Sequence, residues 1–345
     1  MIIDSETRRA ALGWDRHFAD QWKQLAQPGD VPARVIADYG ADYLVHDGDE
    51  CVRANARHVN PAVGDWVVLR GGAIVDVLAR RTTFSRRAAG EANEQQVLAS
   101  NVDVAFVVAA ATDVNVRRIE RYLTIAWQSG ASPIVLLTKA DVSGDADAMR
   151  LELEAIAAGS PVIVTSSVSG EGVDEVERQL LPAKTGVLLG PSGVGKSTLI
   201  NRLIGSELMK TRTIDERSGE GRHMTSHRQL VQLPSGGMII DTPGLREAQL
   251  WEGEDALGNL FEDIEQLALT CRFADCQHRT EPGCAIKAAL VDGSLDTGRL
   301  ESYRKLQREL RSIAARSDAR LRQDERRKWK QIAVANKARE RYLRR

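Results

Sequence analysis

No stretch of this chain approaches the roughly 18 apolar residues that a membrane-crossing helix needs. Its start, MIIDSETRRAALGW, lacks the order of charged, apolar and small residues that marks a signal peptide. Both absences predict a cytoplasmic protein with no membrane role. Cysteine is scarce: four in 345 residues are too few for a disulfide framework of this size. Three of them, Cys271, Cys276 and Cys284, nonetheless fall within fourteen residues, which points to a metal. Net charge is nearly absent as well, at −1, but the balance is uneven. Residues 316–345 hold twelve Arg or Lys against four acids, a net +8 that leaves about −9 for the rest. Such a tail suits a polyanionic partner or, more simply, a solvated helical face.

At 345 residues the chain exceeds one ordinary core and predicts two or three domains. Residues 1–30 read as a polar leader with a short amphipathic helix at WDRHFADQWKQL. From Ala33 to Leu78 come five short β-type runs (ARVIA, DYLVH, ECVRA, DWVVL, AIVDVL), broken by turn signals at Asp47-Gly48, Pro61, Gly64-Asp65 and Gly71-Gly72. This suits a barrel of the oligonucleotide/oligosaccharide-binding (OB) type or another small barrel; the pattern does not choose. From Asn101 the rhythm changes to VDVAFVVAA, a helix through RRIERYLTIAWQSG, PIVLLT, a helix over 145–158, PVIVTS, a helix over 172–181, and TGVLLG. Apolar strands alternating with amphipathic helices predict a parallel sheet covered on both faces, with ligands bound by the loops that follow the strands. After Trp251 a helix, the cysteine cluster and a charged helix from Arg299 follow, the last with Leu300, Tyr303, Leu306, Leu310 and Ile313 at helical spacing.

The first chemistry-bearing motif is GPSGVGKST, residues Gly190, Pro191, Ser192, Gly193, Val194, Gly195, Lys196, Ser197 and Thr198, set between a strand and a helix. Backbone N–H groups at such a helix start wrap a polyphosphate, and glycines admit the close approach. Lys196 supplies a cation for the β- and γ-phosphates and Ser197 a hydroxyl ligand for Mg²⁺. Downstream, GGMIIDTPGL ends a strand in Asp241, placed to hold Mg²⁺ through water, and in Gly244, whose N–H can meet the γ-phosphate.

The base is read from LLTKAD, where Thr138 and the stem of Lys139 precede Asp141. A carboxylate there accepts from the N1–H and exocyclic amine of guanine, which adenine lacks. Sites built on such a bond can reject the analogue without it by about 10⁴–10⁵-fold. TSSVSGEG follows the next strand, and the backbone around Ser166 and Ser167 can contact the guanine carbonyl. In sequence the base motifs precede the phosphate loop, the order expected if a parallel sheet were cut and rejoined while each strand kept its place. In CRFADCQHRTEPGC, Cys271, Cys276, His278 and Cys284 provide three thiols and an imidazole, a set that suits one structural, tetrahedral Zn²⁺.

Taken together, TKAD, SSVSGEG, GPSGVGKST, SGEGRHMTSHRQL, DTPGL and the cysteine cluster resemble the ribosome small subunit-dependent GTPase A family (RsgA, also YjeQ), a group of circularly permuted GTPases. The resemblance runs from about residue 31 to about 310. It implies a multidomain chain: an N-terminal OB-type β-barrel, a central α/β circularly permuted P-loop GTPase domain and a C-terminal α-helical zinc-binding domain. The corresponding boundaries are the barrel at 31–92, the GTPase at 93–252 and the zinc domain at 253–315, with a leader at 1–30 and a basic tail at 316–345 that lie outside the resemblance. Together with the motifs, the resemblance implies binding of GTP, GDP, Mg²⁺ and zinc, and it implies action on the small (30S) ribosomal subunit and its rRNA late in maturation; the chain is expected to act as a monomer. Where the family's switch reads His-Thr-Thr-Thr, this chain has His223-Met224-Thr225-Ser226, so the Mg²⁺ and γ-phosphate role falls to Thr225. Leu245 stands where many GTPases carry a water-orienting glutamine. His223 is then the candidate to orient water or accept its proton. Two other functions use the same residues: a kinase or ATPase sharing the phosphate loop, and a nucleic-acid-binding module with a vestigial nucleotide site. Guanine selection through Asp141 separates the first, and intact Lys196, Ser197, Thr225 and Asp241 argue against the second.

Overall fold

A computed structural model describes residues 5–87, 95–157, 159–205, 228–241, 260–273, 275–279 and 281–311. The sequence-predicted strands appear in place. Strands β1 (Val31–Asp38), β2 (Tyr43–His46), β3 (Cys51–Ala56), β4 (Trp66–Arg70) and β5 (Ala73–Val77) hydrogen-bond in the order β1-β2-β3-β5-β4, and β4 returns to β1. This closes the five-stranded barrel, in the strand order of the OB type. Alternate residues point inward, so Ala33, Val35, Val45, Val67, Leu69 and Ile74 fill its interior.

The leader is less polar than its composition implies. Two helices, α1 (Ser5–Ala11) and α2 (Arg16–Leu25), precede the barrel, and α2 begins where the Asp15 carboxylate accepts from the His17 N–H. The buried Phe18, with Trp14 and Trp22, packs on the other face of β4 against Trp66 and Val68. Trp14 meets Trp66 edge-on at 4.7 Å between ring centroids. A two-stranded ribbon, β6 (Thr83–Arg87) with β7 (Gln95–Ser100), then leads out of the barrel.

The second layer system is the parallel sheet. Strands β8 (Val104–Ala110), β9 (Ser132–Thr138), β10 (Val162–Val164), β11 (Thr185–Leu189) and β13 (Met238–Asp241) lie in the order β10-β9-β8-β11-β13, all parallel, with β12 (Arg228–Gln232) antiparallel beside β13. Every residue of β8 is buried, as a strand covered on both faces requires. Ala105, Val107 and Ala109 face one core with α3 (Val116–Ser129) and α4 (Ala146–Ile156). Phe106 and Val108 face the other, with α5 (Val173–Gln179) and α6 (residues 196–205). Strand β12, which sequence pattern did not anticipate, also pairs with barrel strand β1 through Ala37–Gln229 and Asp38–Arg228. Barrel and parallel sheet are thus one hydrogen-bonded surface.

The C-terminal region adds α7 (Glu262–Leu269), α8 (Ala285–Asp292) and α9 (residues 297–311). Phe261, Ile264, Ile286, Leu300, Tyr303 and Leu306 join the core on the α3 face. Arg299 fastens this layer, donating to both oxygens of Asp263 at 2.8 and 2.9 Å, to the Leu260 carbonyl at 2.8 Å and to the buried Glu120 of α3 at 3.3 Å. Among the described residues no helix is long and apolar enough to cross a membrane.

Candidate nucleotide and metal sites

Because β8, β9, β10 and β11 are parallel, the loops that follow them open at one edge of the sheet. Lys139–Asp141 follows β9, Thr165–Glu171 follows β10, and Gly190–Gly195 follows β11. Motifs that are scattered in sequence therefore converge. The phosphate loop rises between a buried strand and α6, whose Leu199, Ile200, Leu203 and Ile204 anchor it in the core. Gly190 sits so close to β8 that a Cβ would lie 2.6 Å from the Val108 carbonyl oxygen. Only glycine fits there, leaving a backbone cradle at a helix N-terminus with Ser197 and Thr198 exposed in the first turn. The Lys196 ammonium curls over this cradle, donating to the Gly190 carbonyl at 2.7 Å and to the Pro191 carbonyl. A cradle of N–H donors capped by an ammonium fits a polyphosphate.

The base motifs are tied to the cradle and to each other. The Thr138 hydroxyl, buried at the end of β9, lies within hydrogen-bond reach of the Val194 and Ala109 carbonyls. Lys139 is held at φ +60°, a region that side chains other than glycine rarely adopt; such outliers gather where a scaffold positions a ligand group. Asp141 is exposed rather than buried. Its carboxylate accepts from the buried Ser166 hydroxyl at 2.5 Å, and that hydroxyl oxygen in turn accepts from the Val168 and Ser169 N–H groups at 3.2 and 3.1 Å. Ser166 was expected to act through its backbone; the structure shows its side chain orienting Asp141, a contact across 25 residues that no local motif announces. Asp241 ends β13. His223, Thr225, Gly244 and Leu245 lie outside the described residues, as does the tail at 316–345.

The second cluster begins just after α7. Cys271, Cys276, His278 and Cys284 place their donor atoms within 4.8 Å of one another. The Sγ atoms of Cys271 and Cys284 are each 3.5 Å from His278 Nδ1, close to the ~3.6 Å edge expected of a tetrahedron with Zn–S near 2.3 Å and Zn–N near 2.1 Å. The donor set and its spacing fit zinc. Arg304 of α9 holds the knuckle by donating to the His278 carbonyl at 2.8 Å. Burial raises Cys276 to about 11, whereas at Cys271 the effect of burial is outweighed by N–H groups of Ala285 and Ile286 and by the neighbouring thiols, which lower it.

A groove of about 480 Å³ opens at the opposite edge of the parallel sheet, lined by Arg81, Asp103, Ser132, Gln179 and Lys184 among others. It touches none of the motif residues, and the convergence of chemistry outweighs size in locating the nucleotide site.

Residues 77–251 match the RsgA GTPase family, and residues 185–335 match a family described as 50S ribosome-binding GTPase. The chain is 43% identical to a small ribosomal subunit biogenesis GTPase RsgA of Opitutus terrae, over 96% of this chain and 98% of that one. A protein of the same description from Streptomyces avermitilis is also 43% identical, over 94% and 92%. The crystal structure of YjeQ from Thermotoga maritima superposes with a TM-score of 0.62 at 25% identity, covering 81% of this chain and 98% of that one. YloQ, a circularly permuted GTPase, does so at 0.59 and 25%, covering 84% and 97%. The chain belongs to the RsgA GTPase family, and it is a GTP hydrolase of the circularly permuted, P-loop kind that uses GTP, GDP and Mg²⁺.

Proposed function

We propose that this RsgA-family GTPase binds the small ribosomal subunit and hydrolyses GTP to GDP and phosphate late in subunit maturation, with the subunit stimulating turnover. The observation that carries the reading is the convergence of the Asp141, Ser166 and phosphate loops at one sheet edge in a chain 43% identical, nearly end to end, to proteins named for small-subunit biogenesis.

In this reading Thr138 and Lys139 frame the base, Asp141 accepts its N1–H and amine, and Ser166 and Ser167 meet its carbonyl. Gly190 to Thr198 hold the phosphates, with Lys196 over the β- and γ-groups and Ser197, Thr225 and Asp241 on the Mg²⁺ side. Gly244 senses the γ-phosphate, and His223 orients water. Cys271, Cys276, His278 and Cys284 hold one structural zinc that ties α7, α8 and α9 together. Domain limits follow the sequence reading: leader 1–30, barrel 31–92, GTPase 93–252, zinc domain 253–315 and basic tail 316–345. The protein acts as a cytoplasmic monomer, engaging rRNA through the barrel and the +8 tail by contacts that weaken with salt.

GTP turnover measured with and without purified small subunits tests the whole reading. Stimulation is expected for the wild type and is lost in His223→Ala; equal rates with and without subunits would sink it. Metal analysis before and after chelation tests the zinc assignment, which fails if no zinc is present or its removal leaves unfolding unchanged.

A further inference from the structure

Three strands run from the barrel into the nucleotide-binding sheet as one antiparallel ribbon. Asp38, at the end of β1, lies opposite Arg228, the first residue of β12. The next rung sets Ala37 against Gln229, Gln229 lies opposite Asp241 on β13, and Ala37 also pairs with Leu44 on β2. A single row, Leu44-Ala37-Gln229-Asp241, therefore links the barrel wall to the strand end beside the phosphate loop.

The junction between β1 and β12 is short, with two paired residues, whereas β12 follows β13 over four. Two rungs specify register weakly, and a slip of one residue would turn every side chain of the strand over. A side chain makes good the shortfall. Arg228 is 13% exposed, with Nη1 3.5 Å from Asp38 Oδ2 and donating to the Val97 carbonyl of β7 at 3.3 Å. One contact reaches barrel strand β1 and the other the β6–β7 ribbon that leads out of the barrel. Asp38 is itself fixed, since its other oxygen accepts from the Gly40 N–H at 2.9 Å in the β1–β2 turn. Because β12 is welded to β13, whatever fixes the start of β12 also fixes the end of β13.

We propose that Arg228 is a positioning residue for GTP hydrolysis: by holding β12 on Asp38 and Val97 it sets the carboxylate of Asp241. The inference rests on the reading of Asp241 as a Mg²⁺-side group. It makes the barrel part of the catalytic geometry as well as a module for contact with RNA.

Steady-state GTP hydrolysis by the full chain, titrated with Mg²⁺, tests it beside GDP binding in the absence of Mg²⁺. Arg228→Met is expected to lower kcat about tenfold and raise the Mg²⁺ needed for half-saturation, since small misplacements of a reacting constellation cost rate steeply. Mg²⁺-free GDP affinity should stay within about twofold. Arg228→Lys should recover part of the loss, as should the exchanged pair Asp38→Arg with Arg228→Asp. Thermal unfolding checks that each variant is folded; should Arg228→Met not fold, Asp38→Asn carries the same expectation at smaller size. Unchanged kcat and Mg²⁺ dependence in the folded variant overturns the proposal, and so does a parallel fall in GDP affinity, which marks general loosening. Asp241→Asn separates the two readings. If it leaves Mg²⁺ dependence unchanged, the role of Asp241 fails and this inference with it; if it shifts that dependence and Arg228→Met does not, the inference alone falls.

Discussion

The two edges of the parallel sheet are built from the same strands and end in opposite ways. At the edge where β9, β10 and β11 finish, polar groups stay in solvent: Asp141, Ser197 and Thr198 are exposed, and Lys139 is held at φ +60°. At the edge where β11 and β13 begin, polar groups are consumed. Arg34 of the barrel is fully buried there, donating to the Thr185 hydroxyl at 2.8 Å, to the Gly64 and Asn101 carbonyls at 3.3 and 3.4 Å, and to the Leu12 carbonyl of the leader. Burial lowers its pKa to about 10, so it remains a cation at neutral pH. One edge keeps donors and acceptors available for a ligand; the other spends a guanidinium on joining leader, barrel and sheet. Function and cohesion are thus separable by mutation.

The largest expected effect breaks the open edge alone. Asp141→Asn replaces an acceptor by an amide that cannot take both guanine hydrogen bonds, and it leaves the Ser166 hydroxyl without its carboxylate. Preference for GTP over ATP, which such a pair can support to about 10⁴–10⁵-fold, should collapse while the unfolding midpoint barely moves. Competition binding with the two nucleotides reads this directly. Retained selectivity would place base recognition elsewhere.

The open edge was the legible one. TKAD and GPSGVGKS state their chemistry in consecutive residues, because a strand end, a tight loop and a helix start need particular residue types at fixed spacing. The three cysteines and one histidine of the second cluster were legible for the same reason, lying within fourteen positions. The closed edge was not. Arg34 stands in a β-type run where alternation predicts an exposed charge, and its partners come from positions 12, 64, 101 and 185. Trp14, Phe18 and Trp22 fall in the amphipathic stretch WDRHFADQWKQL, but nothing local names Trp66 as the side chain their face packs against. Strand β12 begins immediately after the switch stretch, and its pairing to β1 spans nearly two hundred residues. Local pattern encodes loops that meet ligands; long-range contacts that join one region to another leave no local trace.

Breaking the closed edge should reverse the phenotype. Arg34→Met removes the donor to four oxygens, leaving buried carbonyls unpaired, at a cost of about 2–4 kcal/mol in stability. Denaturant unfolding should record that loss, while GTP affinity of the folded fraction stays within about twofold. A large drop in affinity at unchanged stability would show that the edges are not independent.

The smallest effect sharpens the rule that buried polar groups are fully used, by testing one place where it is broken. Glu120 of α3 has a side chain 1% exposed; one oxygen meets Arg299 at 3.3 Å, and the other has no hydrogen-bond partner among the described residues. Burial raises its pKa, against the lowering influence of Ser302, Arg299 and Arg117. A carboxyl whose folded pKa lies above its unfolded value favours folding fully below the unfolded value, and that favour is lost as pH rises through the folded one. At neutral pH the charged form is therefore a burden. Glu120→Gln removes the burden, and Arg299 keeps its two bonds to Asp263. The variant should match or exceed wild-type stability at pH 7 by up to about 1 kcal/mol, with the advantage vanishing below about pH 4, where both side chains are neutral. Unfolding curves across this range decide the matter. A variant less stable at pH 7 yet equal in acid would mean that the Arg299 ion pair outweighs the desolvation of Glu120, and that the unpaired oxygen costs the fold nothing.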